Sequence, residues 1–175
     1  MVAYVALLRG INLGPARKVP MKELRALAER LGLADVRTYI NSGNLLFASE
    51  EAAGPLQRSL AQGIEEHFGF EVPVVVRTAE QLRQVLSEAP FSEGSPSQVC
   101  VAFFATDIPG ETASKVAELA TPNERYAVGR REIHVDFAGG LARSKLAARL
   151  VALGADDAAT VRNVGTIAKL VALLE

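Results

Sequence analysis

Four polar clusters in this sequence carry the residue types needed to hold an anion. The first lies in "LLRGINLGPARKVPMKELRAL" (residues 7–27). An apolar run stops at Arg9, Gly10 and Asn12, passes through Gly14, Arg17 and Lys18, and leads into a helix pattern. An arginine leaving a buried strand sets its planar guanidinium at a sheet rim, where the fork suits a carboxylate or phosphate. Loop N–H groups and the positive end of the following helix favour an anion at the same place. The nucleotide fingerprints G-x-G-x-x-G and G-x-x-x-x-G-K-[ST] are absent from the stretch. An Asn/Gly turn with a solvated basic rim accounts for the same residues without a ligand.

The other clusters have the same dual character. Asn41, Ser42, Gly43 and Asn44 in "YINSGNLLF" lie between two strand patterns, where a hairpin turn explains them as well as a binding loop does. In "FAGGLARSKLAARL" the chain passes through Gly139 and Gly140 into a helix opened by Ser144 as N-cap, with Lys145 beside it. A cation at a helix start is unfavourable unless an anion joins it, which singles out Lys145. In "TVRNVGT", Arg162 precedes Asn163 and Thr166, and capping of the last helix alone explains Asn163. His67 closes a helix and His134 alternates within a strand. Both are read as structural, because neither has a nucleophile or acid partner at a recognisable spacing. Asp156-Asp157 reads as a turn or helix start rather than a metal site.

The elements that must position these clusters follow from periodicity. "VAYVALLR" is near-continuously apolar, as a strand buried on both faces should be. Met21, Leu24, Leu27 and Leu31 recur at helical spacing after Pro20, and Gly32 ends that helix. "DVRTYI" and "LLFAS" are strands around the "NSGN" turn. "GPLQRSLAQGIEEHF" is a helix weakened by Gly63, and "EVPVVV" is a strand with Pro73 near its start. "TAEQLRQVLSE" is a helix with Thr78 and Gln81 at capping-box spacing. The order βαββαβ over residues 2–76 is that of a ferredoxin-like sandwich. In that topology the first and third strands are central and antiparallel, so Arg9 and Asn44 meet at one sheet edge and the first two clusters can share a site.

After "APFSEGSPSQ" the pattern starts again. "VCVAFFA", "ERYAV", "REIHVDF" and "ATVRN" read as strands, the middle two around a Gly129 turn. "GETASKVAELA", "SKLAARLVAL" and "VGTIAKLVALLE" read as helices. "VRTAEQLRQVL" and "VRNVGTIAKLV" align without gaps, matching Leu82 with Ile167, Val85 with Leu170 and Leu86 with Val171. The expected fold is therefore α+β, with two ferredoxin-like halves in tandem, 1–88 and 97–175, joined by a linker at 89–96 and each followed by a helix.

Composition narrows the classes. The chain has 175 residues, 49% of them hydrophobic, enough for a sizeable core. Lys plus Arg total 19 against 20 Asp plus Glu, a balance that argues against a dedicated nucleic-acid coat but not against a local basic patch. No run approaches the ~20 apolar residues of a membrane span. The N-terminal stretch lacks a basic n-region and cleavage site, so it reads as a strand rather than a signal segment. One cysteine, Cys100, sits in a buried-strand pattern, pointing to an inert thiol and a reducing cytoplasm. One cysteine and two histidines far apart leave no zinc set, and no cofactor is expected.

"LLRGINLG…KVPMKELRALAERLGLADVRTYINSGNLLF" resembles the opening signature of a bacterial family of uncharacterised proteins, domain of unknown function 1697. "GGLARSKL" and "TVRNVGTIAKL" resemble its two later signatures, so the resemblance runs from end to end. It implies a small cytosolic protein of two ferredoxin-like halves and no established activity. The family's polar signature falls on Arg9, Gly10, Asn12, Lys18, Ser42, Gly43 and Asn44, and on Ser144, Lys145, Arg162, Asn163 and Thr166. Pro15 replaces a usual second glycine after Gly14, and Val164-Gly165 replace a usual Trp-Asn pair.

Arg9, Lys18, Lys145 and Arg162 at element ends favour a small anionic or phosphorylated ligand, with Asn12 and Asn44 orienting it and Ser144 donating to it. No residue stands out as a general base, so no reaction is assigned. Two alternatives remain open. One is a nucleic-acid module using Tyr4 and Phe47, which lie on the strands that read RNA in ferredoxin-like domains. The other is an interaction scaffold in which the polar clusters hold the two halves together. Fold alone does not choose among them, nor does it give the oligomeric state.

Overall fold

The computed structural model describes residues 1–154 and 158–175. Asp156-Asp157 falls outside the described residues. The chain is α+β, with two four-stranded antiparallel sheets. The first sheet contains β1 (Val2–Leu8), β2 (Ala34–Tyr39), β3 (Asn44–Ser49) and β4 (Val74–Thr78), in the order β2-β3-β1-β4. The second contains β5 (Val99–Phe104), β6 (Glu124–Val128), β7 (Glu132–Phe137) and β8 (Ala159–Asn163), in the order β6-β7-β5-β8. The two sheets have the same strand order.

The helices of the first unit are α1 (Met21–Arg30), α2 (Ala53–Phe68) and the first part of α3 (Ala79–Ser87). Alternation along β1 sends Tyr4, Ala6 and Leu8 into a core shared with Leu24 and Leu27 of α1 and Leu56, Leu60 and Ile64 of α2. Each large aliphatic side chain so buried contributes about 1.5–3 kcal/mol. Val5 and Leu7 are fully buried as well, which explains the unbroken apolar run. Gly63 has a packing role in α2: a Cβ there would stand 3.3 Å from Leu31 Cδ1 and 3.4 Å from Leu27 Cδ1, so glycine permits the close approach of α1. α1 ends as its sequence suggests, Gly32 N–H donating to Glu29 O at 3.0 Å. At α3 the capping box closes both ways. Thr78 N–H donates to Gln81 Oε1 at 2.9 Å, and Gln81 N–H to Thr78 Oγ1 at 3.0 Å.

In the second unit Cys100, Ala102 and Phe104 of β5 pack with Val116 of α4 (Thr112–Leu119) and Leu146 of α5 (Lys145–Arg149). The stretch "SKLAARLVAL", expected as one helix, is five residues of α-helix followed by a 3-10 turn over Leu150–Leu153. Tightening the winding there buries both Leu150 and Leu153. α6 (Val164–Leu174) closes the chain. Burial raises the Cys100 thiol to about 11, so it stays protonated and inert.

The chain divides into two compact units, Met1–Arg83 with Leu170–Glu175, and Gln84–Lys169. The division falls inside α3 rather than in the Pro/Ser/Gly stretch at 89–96, and the last turn of α6 groups with the first unit. Within that unit Arg37 Nη2 donates to Leu173 O at 2.7 Å.

Candidate functional site

The first unit brings its two polar clusters to one edge. Leu7 pairs with Asn44, and Leu8 N–H donates to Gly43 O at 2.8 Å, so the end of β1 meets the start of β3 as its topology requires. Beside them, half-buried Arg9 sends its N–H to Pro73 O at 3.1 Å.

Asn12 organises this corner. Its backbone is left-handed, at φ +56°. Its Nδ2 donates to Val19 O at 2.8 Å and to Asn41 O at 2.9 Å, and its Oδ1 accepts from Val19 N–H at 2.8 Å. Arg17 closes the same loop from the other side. Nε donates to Gly10 O at 3.0 Å, Nη2 donates to Glu71 O at 2.6 Å, and the guanidinium lies 4.9 Å from the Phe70 ring centre. Gly43 is required by sterics. At φ +94°, a Cβ would stand 2.7 Å from Leu8 Cβ. Asn44 is fully buried, its Nδ2 donating to Tyr39 O at 3.0 Å and to Ser42 Oγ at 3.4 Å.

Lys18 differs from these framing residues. It is exposed and lines a shallow cleft of about 230 Å³ with Asn12, Val19, Pro20, Met21 and Asn41. Pro20 precedes α1 and gives it no side-chain cap, so a basic side chain stands beside the positive end of a ten-residue helix. Asn41 belongs to the "NSGN" cluster read from the sequence, whereas Met21 is marked there only as part of the helix pattern; both line the cleft. Asn41 reaches the cleft because its carbonyl accepts from Asn12 Nδ2, a contact across 29 residues of chain.

The second unit holds the remaining candidates. Ser144 caps α5, its Oγ accepting from Ala147 N–H at 3.0 Å and donating to Glu124 Oε2 at 2.7 Å. Glu124 thus brings this chain's own carboxylate to the helix start beside exposed Lys145. Half-buried Arg162 donates through Nη1 to Thr160 Oγ1 at 2.6 Å and Val161 O at 2.8 Å, and burial pushes its guanidinium down to about 10. Asn163 Oδ1 accepts from Thr166 N–H at 2.8 Å. Gly165, standing where the family's asparagine is expected, donates its N–H to Pro96 O at 3.2 Å.

One polar network in this unit has no sequence signature. Arg125 donates to Asp136 Oδ2 at 2.6 Å and to Glu93, and its guanidinium lies 4.8 Å from the Phe91 ring centre. It ties the Pro/Ser/Gly stretch to β6 and β7.

Tyr4 and Phe47 do lie on neighbouring central strands, but on the face turned to the helices. They are 5% and 2% exposed, stacked at 5.7 Å, and the Tyr4 hydroxyl donates to Glu51 O at 2.8 Å. The aromatic platform expected of a nucleic-acid module is therefore core. Among the described residues no group of three or more His, Cys, Asp or Glu is placed to hold a metal ion, and no helix is long and apolar enough to cross a membrane.

Residues 1–134 match the family described as protein of unknown function (DUF1697). The chain belongs to the DUF1697 family. The matched span of this DUF1697 protein includes the whole first corner and ends before Ser144, Lys145, Arg162, Asn163 and Thr166. A comparison with curated proteins finds no match. Among solved structures the chain is similar to the conserved bacterial protein SP0830 from Streptococcus pneumoniae, at 26% identity and a TM-score of 0.82, over 99% of each chain.

Proposed function

We propose that this DUF1697 protein binds a small anionic or phosphorylated ligand at the strand-end corner of its first unit. The observation that carries the reading is exposed Lys18, in a cleft of about 230 Å³ at the uncapped start of α1. Lys18 supplies charge and the first-turn N–H groups donate. Gly10, Asn12, Arg17, Gly43 and Asn44 fix the loop, and Arg9 and Ser42 stand at the same edge. In the second unit Ser144, Arg162, Asn163 and Thr166 serve their own helix and strand ends, with Lys145 the exposed cation among them.

We also read the two units as tandem ferredoxin-like halves, which is supported by their shared strand order. A bacterial cytoplasmic setting agrees with the free, buried thiol of Cys100.

Thermal unfolding against inorganic phosphate, nucleotides and sugar phosphates tests the proposal, with Lys18→Ala, Arg9→Ala and Lys145→Ala alongside. A ligand at a hundred times its Kd adds about 2.7 kcal/mol. The expected result is stabilisation lost in Lys18→Ala and kept in Lys145→Ala. The hydrogen bonds that occupy Asn12 and Asn44 favour a second reading, in which the corner is purely architectural. That reading predicts no stabilisation by any of these anions.

A further inference from the structure

Each four-stranded sheet ends in two edge strands, and an edge carries a row of backbone N–H and C=O groups that can template another chain. Among the described residues, three of the four edges are occupied or interrupted. On β4 the outward N–H of Val76 donates to Gln57 Oε1 at 3.2 Å, and that of Thr78 to Gln81 Oε1 at 2.9 Å. On β8 the carbonyl of Val161 accepts from Arg162 Nη1 at 2.8 Å. On β2 the register with β3 shifts between Ala34 and Arg37, and Asp35 between them is left-handed at φ +51°. A bulge of this kind twists an edge away from partners.

β6 has none of these devices. It pairs with β7 from Glu124↔Phe137 to Val128↔Ile133 without a shift. Gly129 N–H donates to Glu132 O at 2.8 Å, which sets the phase of the ladder. Hydrogen-bonded pairs alternate along an antiparallel ladder, so Arg125 and Ala127 bond to β7 while Glu124, Tyr126 and Val128 turn their backbone groups outward. Glu124 N–H is taken by Thr121 O at 3.0 Å. Those of Tyr126 and Val128 have no partner among the described residues. The side chains do not guard the edge either. Arg125 is drawn back over its own sheet to Asp136, and the Glu124 carboxylate accepts from Ser144. Tyr126 stands 37% exposed between them.

We infer that β6 is a self-association edge, pairing antiparallel with β6 of a second copy of this chain about a two-fold axis at Tyr126. Outward groups must meet outward groups, and charge then selects the register. Centring on Glu124 or Arg125 sets like charges opposite each other, which is destabilising. Centring on Ala127 or Val128 shortens the ladder. Centring on Tyr126 sets Tyr126 against Tyr126, Arg125 against Ala127 and Glu124 against Val128. The two Tyr126 residues exchange both N–H to O bonds, their rings form a cross-strand aromatic pair, and Val128 N–H reaches the Glu124 carbonyl. The strand is its own complement in this register, which an arbitrary extended peptide is not. Both copies use the same edge, so assembly closes at two.

An interface built on one short strand lies at the low end of the size scale, so the dimer is concentration-dependent. Sedimentation equilibrium of the full chain from about 10 μM to about 1 mM should show the mean mass rising toward twice that of one chain. Tyr126→Lys and Tyr126→Glu each put like charges on the two-fold axis. Each should stay monomeric over that range, with its unfolding midpoint at the parent value, because the side chain stands at an exposed edge. Mixing the two variants one to one should restore the dimer, since opposite charges then face each other, and this rescue separates lost pairing from lost folding. A parent chain that is monomeric throughout would overturn the proposal, whether or not β6 takes a strand from another protein. So would a dimer that persists in both single variants, or a mixture that stays monomeric.

Discussion

Arg77 and Arg162 occupy the same position in the two units. Arg77 pairs across β4 with Val5, and Arg162 pairs across β8 with Val101. Each donates through Nη1 to the carbonyl of the valine before it, at 3.2 Å to Val76 and 2.8 Å to Val161. The registers run in step around them. Tyr4, Ala6 and Leu8 pair with Thr78, Val76 and Val74, and Cys100, Ala102 and Phe104 pair with Asn163, Val161 and Ala159.

This equivalence predicts equal sensitivity. Arg77→Met and Arg162→Met each remove a charged donor from a carbonyl while keeping an apolar stem. A loss of about 1.5–3 kcal/mol is expected from each in urea unfolding. A large loss from one and none from the other would show that the two arginines, though equivalent in register, carry different loads.

Gly43→Ala is expected to be among the costliest single-methyl additions in the chain. The new Cβ would meet Leu8 Cβ at 2.7 Å with the backbone at φ +94°. Left-handed strain and overpacking together come to about 3 kcal/mol. Gly14→Ala is the control, because nothing lies within 4 Å of its Cβ position. Its unfolding midpoint should stay at the parent value.

Asn12→Asp changes one atom type and keeps the shape. It turns the donor to Val19 O and Asn41 O into a charged acceptor aimed at two carbonyl oxygens. A loss of about 2–3 kcal/mol is expected by denaturant unfolding. Asn12→Asp at parent stability would mean that the corner is not held by these bonds.

Tyr4→Phe should cost about 1 kcal/mol, the worth of the hydroxyl bond to Glu51 O. It should leave oligonucleotide retention in a filter assay unchanged, because the ring is core. A selective loss of oligonucleotide binding at unchanged stability would restore the nucleic-acid reading.

His134 sets a pH dependence. Burial holds its imidazole below the usual histidine range, against the opposing charges of Glu132 and Glu88, and its Nδ1 is buried without a hydrogen-bond partner among the described residues. Below about pH 6.5 the unfolded chain takes up a proton that the folded one resists. This residue's contribution is therefore fully present above that pH and is lost as pH falls toward the depressed folded value. His134→Leu should flatten the stability profile across that acid window, as measured by unfolding at a series of pH values.

Much of the fold was legible because its signals are local. The alternation of β1, the Thr78–Gln81 capping box and the echo of Val76-Arg77 in Val161-Arg162 all lie within a few residues of chain. Where packing decides, the signal fades. Nothing local says that Leu150–Leu153 tightens into a 3-10 turn, or that contacts divide the chain within α3. Tyr4 and Phe47 identify their strands, but which face they take depends on where α1 and α2 land. In the corner, the Arg-Gly-x-Asn pattern and the "NSGN" turn mark the right edge of the sheet. They do not show that Asn12 and Asn44 are engaged with backbone carbonyls while Lys18 stays exposed, because those pairings depend on how the loop folds back on itself and on Asn41, 29 residues from Asn12. Arg125, with Glu93 and Asp136, was invisible for the same reason.

The grouping of Leu170–Glu175 with Met1–Arg83 has a consequence for synthesis. The residues that accept from Arg37 and face Arg83 are made only after the whole second unit has been translated. At ordinary elongation rates that interval is on the order of ten seconds. During it the nascent first unit leaves the ribosome with its sheet and helices α1 and α2 complete but without its last turn of helix. The half of the protein that starts first is thus the half that finishes last, and a chain stalled before Leu170 would leave it unfinished.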